Sequence, residues 1–174
     1  MSLTTYLTKS EIQARREALA RELVRRMVAK GVVKSGDEVA IRDILPKTDL
    51  GYTYEKWETA SLPAYTYTAV VDQRLPANKM IGFYGVQDLA GGLDTGITAV
   101  IRFKIGPGAA RVLDVWQIQK IESEKEKEGI SEKDVIYENQ EYMTVEFYNV
   151  ATGVSNVALL GLVAEPKGEV VAHG

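Results

Sequence analysis

Residues 97–105, ITAVIRFKI, alternate Ile97, Ala99, Ile101, Phe103 and Ile105 with Thr98, Val100, Arg102 and Lys104. Successive side chains of a strand point to opposite faces, so this stretch reads as a strand with one packed and one partly solvated side. Met143, Val145 and Phe147 repeat the pattern against Thr144, Glu146 and Tyr148. Segments 79–86, 111–121 and 157–164 are further strand candidates, joined by 66–71 and 133–137. Gly106-Pro107-Gly108 makes a tight connection, and Thr152-Gly153, with Asn149 nearby, marks another turn. Six to eight strands with no interleaved helix of ten or more residues argue against a parallel α/β sheet. They predict a mainly β protein, an antiparallel β-sandwich of jelly-roll-like form. Barrel and immunoglobulin-like connections remain alternatives, because strand count does not give connectivity.

Upstream the periodicity changes. Thr8 and Glu11 match a capping box, Leu7 is placed for a hydrophobic staple, and Gly31 is a left-handed stop. Between them Ile12, Leu19, Leu23 and Met27 form an apolar stripe, widened by Ala20, Val24 and Val28. The other face carries Arg15, Arg16, Glu17, Arg21 and Glu22. It reads either as a solvated face with i,i+4 pairs or as a docking face whose arginines meet an acidic neighbour. The division that follows is a helical extension over residues 1–35 and a β-sandwich domain over residues 36–174.

Between helix and sandwich, Val39, Ile41 and Leu45 fit a strand or a short helix that stops before Pro46, and Asp49-Leu50-Gly51 reads as a turn. Residues 52–71 concentrate Tyr52, Tyr54, Trp57, Tyr65 and Tyr67. Such side chains give large, rigid contact area with a polar tip. They suit one end of the β body, a subunit interface or, less specifically, sugar stacking. Residues 122–134, ESEKEKEGISEKD, read as an exposed charged loop.

Composition narrows the chemistry. The chain has 174 residues, a net charge of -3 and no cysteine. An acidic balance argues against general nucleic-acid binding, and the missing thiols exclude disulfides and thiolate chemistry. The start MSLTTYLTKSE lacks the character of a secretory signal, so cytoplasmic synthesis is expected, and no apolar run reaches membrane-spanning length. His173 is the sole histidine, which rules out two-histidine zinc patterns and points to an exposed terminal side chain. Asp88 and Asp94, around Gly91-Gly92, miss the spacing of a twelve-residue calcium loop and read as a hairpin loop. Gly82 and Gly85 lack the context of a phosphate loop and read as packing or bulge positions.

No catalytic residue, metal ligand or cofactor site is therefore expected. The leading expectation is a non-enzymatic structural protein that self-associates or joins other structural subunits. A virus capsid, decoration or tail component of the virion is its concrete form. The expected interface residues are Arg15, Arg16, Leu19, Leu23 and Met27 on the helix, with Trp57, Tyr65 and Tyr67 from the aromatic segment. A carbohydrate- or ligand-binding module and a histidine-independent carboxylate enzyme are the alternatives.

Overall fold

The computed structural model describes residues 3–4, 7–89, 96–108, 111–121 and 127–169. Its strands in chain order are β1 (Leu3–Thr4), β2 (Val39–Asp43), β3 (Ser61–Leu62), β4 (Tyr67–Arg74), β5 (Met80–Asp88) and β6 (Thr98–Ile105). They continue as β7 (Arg111–Gln117), β8 (Glu128–Tyr137), β9 (Tyr142–Asn149), β10 (Gly153–Val154) and β11 (Val157–Pro166). Helix α1 (Lys9–Ala29) precedes β2, and the short helix α2 (Pro46–Leu50) follows it.

Two antiparallel sheets hold the core. One has the order β1-β8-β5-β11-β2, the other β4-β9-β6-β7. Of these strands, eight have five or more residues. Numbered one to eight along the chain, they lie 6-3-8-1 in the first sheet and 2-7-4-5 in the second. The pairs β2–β11, β4–β9, β5–β8 and β6–β7 are nested like the arms of one long hairpin folded over on itself. That is the strand order of a jelly roll, and it settles the connectivity that strand count left open.

Alternation explains the core between the sheets. Ile101 and Phe103 of β6 face inward beside Val145 and Phe147 of β9, with Phe103 opposite Val145 and Ile101 opposite Phe147. Phe83 and Tyr137 meet them from the other sheet, and Trp116 packs on Phe103 with ring centroids 4.5 Å apart. Tyr137 also donates its hydroxyl hydrogen to the Lys104 carbonyl at 2.8 Å, tying β8 to β6.

The five-stranded sheet is covered on both sides. Leu19, Leu23 and Met27 of α1 are fully buried in a second cluster with Met80 and Tyr84 of β5 and Leu162 and Ala164 of β11. A Cβ on Gly82 would lie 2.6 Å from Leu19 Cδ1, so the missing side chain lets the helix sit directly on the strand. Thr8 caps the helix by accepting from the Glu11 amide at 3.2 Å. At the other end the Val32 amide donates to the Met27 carbonyl and Gly31 to Val28, a Schellman stop with Gly31 at φ 73°. Its apolar stripe thus packs α1 onto the outer side of the five-stranded sheet, against β5 and β11 and beside Val39 of β2 and Ile130 of β8.

Three readings change. Residues 128–134 belong to β8, not to a loop, and Gly129 is tucked where a Cβ would lie 2.7 Å from Ile121 Cγ2. The remainder of that segment, 122–126, lies outside the described residues, as do most of the 88–94 loop and His173. Residues 39–43 form strand β2 and not a helix that stops before Pro46, and helix α2 starts at that proline, so Asp49 and Leu50 are helical instead of part of a turn. Proline suits the first helical turn, whose amides need no intrahelical partner, and Gly51 closes the helix at φ 78°.

Candidate interaction surfaces

The expected helical interface residues are engaged within the chain. Leu19, Leu23 and Met27 are 0% exposed, so these three side chains have no surface left to offer a neighbour. Arg15 and Arg16, adjacent in sequence, point about 100° apart on a helix and reach opposite edges of the sheet. Arg15 pairs with Asp134 of β8 at 2.7 Å, and Arg16 with Asp43 of β2 at 2.7 Å. Arg26 and Lys30 both reach Glu138 at 3.2 Å. Glu22 is held down to about 2 by hydrogen bonds from Arg25 and Arg26. Residues 1–35 carry eight Lys and Arg against three Asp and Glu, a net of +5, while the rest of the chain carries -8. The acidic surface that those arginines were expected to seek is thus partly the chain's own sheet.

A buried ion cluster, absent from the sequence reading, holds the start of the sandwich. Arg42 of β2 donates to both carboxylate oxygens of Asp49 at 2.7 and 2.8 Å and to Glu165 of β11 at 2.7 Å. Lys79 reaches Asp49 at 3.1 Å, and the Leu45 amide donates to it at 2.7 Å. Burial pushes the Asp49 carboxyl up, but the Arg42 bonds, the Leu45 amide and Lys79 outweigh it and leave the group below its ordinary value. Two cations meet two anions, and the cluster ties α2 to the paired strands β2 and β11. Its charges are spent on one another, which is a structural use and not an acid/base pair facing solvent. Among the described residues no group of three metal-ligating side chains occurs. No helix there is long and apolar enough to cross a membrane.

The outward face of β4-β9-β6-β7 is different, because α1 packs on the opposite sheet and this face has no helix over it among the described residues. Outward parity on β9 and β6 brings Tyr142, Glu146 and Tyr148 beside Arg102 and Lys104. The Arg102 guanidinium lies 3.7 Å from the Tyr67 ring centroid and 2.7 Å from Glu146. Lys104 joins Glu146 at 3.1 Å, and Tyr67 packs on Tyr148 at 5.1 Å. At the far end Arg74 lies 5.8 Å over Tyr142, whose hydroxyl pKa is raised mainly by its hydrogen bond to Asp72. The result is a tyrosine–arginine surface whose side chains already hold one another in place. Of the expected interface residues, it contains Tyr67.

Trp57 and Tyr65 are elsewhere. Tyr65 is 70% exposed at φ 57°, its amide donating to the Asn149 carbonyl at 2.8 Å. Trp57 packs edge-on against Tyr52 with centroids 5.7 Å apart. The Tyr52 hydroxyl is buried without a hydrogen-bond partner, and burial raises its pKa. The outer side of Trp57 walls a groove of about 500 Å³ that also touches Arg16, Asp43 and Tyr84.

Arg102 and Tyr148 were placed by alternation on the solvated side of their strands but not among the interface residues, and Arg74 and Tyr142 were not singled out. Their grouping depends on the register that sets Arg102 opposite Glu146 and Tyr67 opposite Tyr148. Comparison with known proteins finds no family model that matches the chain and no curated protein significantly similar to it.

Proposed function

We propose that this chain is a non-enzymatic structural subunit that associates with copies of itself in an oligomer or a larger particle, a virion subunit being the concrete form. The observation that carries the reading is the open tyrosine–arginine face of the four-stranded sheet, centred on Tyr67, Arg102 and Tyr148. Interface hot spots are enriched in Tyr and Arg, and side chains fixed beforehand lose less entropy on association. The jelly-roll order adds an analogy, since that fold builds capsid subunits as well as lectin domains and cupins. The assembling surface in this reading is the sheet face, and the helix contributes by holding the opposite sheet rigid.

Size-exclusion chromatography with light scattering tests it. Wild-type protein is expected to run well above its 19.2 kDa chain mass. Tyr148→Ser combined with Arg74→Ser is expected to shift the population toward that mass while leaving circular dichroism unchanged. A wild-type monomer, or a double variant that assembles like wild type, overturns the reading.

A further inference from the structure

We propose that the groove between Trp57 and the N-terminal half of α1 binds an uncharged saccharide. Its volume, about 500 Å³, falls in the range of small-molecule sites, and its accessible surface is more polar than apolar, which suits a ligand rich in hydroxyls. Trp57 and Leu160, both half-buried, give the apolar surface suited to the C–H face of a sugar ring, with Ile44, Tyr84 and Leu159 buried behind them. Gln13, Arg16 and Asp43 bring amide, guanidinium and carboxylate groups to the same space. Together they offer both donors and acceptors, which is what a ring of hydroxyls requires.

Charge selects within that class. Arg16 and Asp43 are paired at 2.7 Å, so each cancels the other's field in the groove. An acidic sugar would have to displace Asp43 from Arg16 or face its carboxylate, whereas a neutral hydroxyl bridges both groups without breaking the pair. The side chains are also within reach, since Arg16 is 36% and Asp43 76% exposed. Tyr84 lies beside them at the base: burial raises its hydroxyl pKa, with smaller influences from Arg16 and Asp43. This site is on the helix side of the molecule, away from the tyrosine–arginine face, and stands independently of the assembly reading.

The chain's two tryptophans make the test direct. Trp116 is 0% exposed in the core, while Trp57 lines the groove, so a ligand-induced change in tryptophan fluorescence reports Trp57. Glucose, galactose, mannose, N-acetylglucosamine and their neutral di- and trisaccharides are titrated into the full chain, with glucuronic acid and 3′-sialyllactose as anionic counterparts. At least one neutral sugar is expected to give a saturable change and a matching calorimetric isotherm. Asp43→Asn and Trp57→Ala are each expected to weaken that binding about tenfold or more, while Arg74→Ser on the opposite face leaves it unchanged. Should Trp57→Ala fail to fold, Asp43→Asn decides alone, because its carboxylate is mostly in solvent. Absence of any saturable response to neutral sugars, tighter binding of the anionic ones, or wild-type affinity in Asp43→Asn overturns the proposal.

Discussion

Replacing Gly82 by alanine should destabilise the protein, and removing the Leu19 side chain should relieve that cost. The added Cβ would stand 2.6 Å from Leu19 Cδ1, closer than carbon atoms approach, and 3.3 Å from Cδ2 and Cγ, a tight contact. Leu19 is 0% exposed, so it has little room to swing aside. Overpacking of this kind costs about 1–3 kcal/mol, offset by about 0.5–1 kcal/mol because alanine loses less backbone freedom than glycine in a strand. A net loss of about 0–2.5 kcal/mol is expected for Gly82→Ala. Leu19→Ala alone should cost about 2–5 kcal/mol through lost burial and a cavity. In the double variant the methyl group added at position 82 occupies part of that cavity, so the penalty should be no larger than for Leu19→Ala. The coupling should then be about 1–3 kcal/mol in the compensating direction. Urea denaturation of the four proteins at one concentration measures it. Additive penalties would refute the claim that α1 is seated on β5.

Phe103→Ala should cost about 3–5 kcal/mol by chemical denaturation, since the ring is fully buried against Phe83 and Trp116. Arg16→Ala should change stability by less than about 1 kcal/mol, because its partner Asp43 is mostly exposed and such pairs contribute little. Asp49→Ala leaves Arg42 and Lys79 facing Glu165 alone and should cost about 3–5 kcal/mol. The Asp49 carboxyl sits below its ordinary 3.8 in the folded chain, so its stabilisation is complete above about pH 4 and is lost as pH falls through the folded value. Acid titration of stability should therefore be flatter below about pH 4 in Asp49→Ala than in wild type, and parallel curves would remove Asp49 from the account.

The two-sided burial of β5 and β11 explains how much of this fold the sequence carried. Where one face is packed, as in β6 and β9, alternation gave the strand, its parity and its core residues Phe103 and Phe147. β5 and β11 read instead as near-continuous apolar runs, MIGFYGV and VALLGLVA, because helix and sheet cover opposite sides. That pattern was itself a sign that something must lie over the sheet, and α1 was the available element. The helix's own start, stop and stripe were legible, but a stripe does not say which surface receives it. The first half of β8, residues 128–132, was hidden for another reason, while 133–137 read as a strand. Its charged residues serve an edge near the short β1, and a register shift opposite Phe83 and Gly85 breaks the alternation. The ion cluster and the tyrosine–arginine face join residues far apart in the chain, such as Arg42 with Glu165 and Tyr67 with Arg102. Only the jelly-roll register brings them together.

The association claim is tested most directly by sedimentation velocity on the unmodified full chain from about 1 to about 100 µM, with electron microscopy of the fastest fraction. The expected result is a concentration-dependent species of several or many 19.2 kDa subunits, with uniform closed or regular particles in the images. A single species at the mass of one chain across the whole range would contradict it.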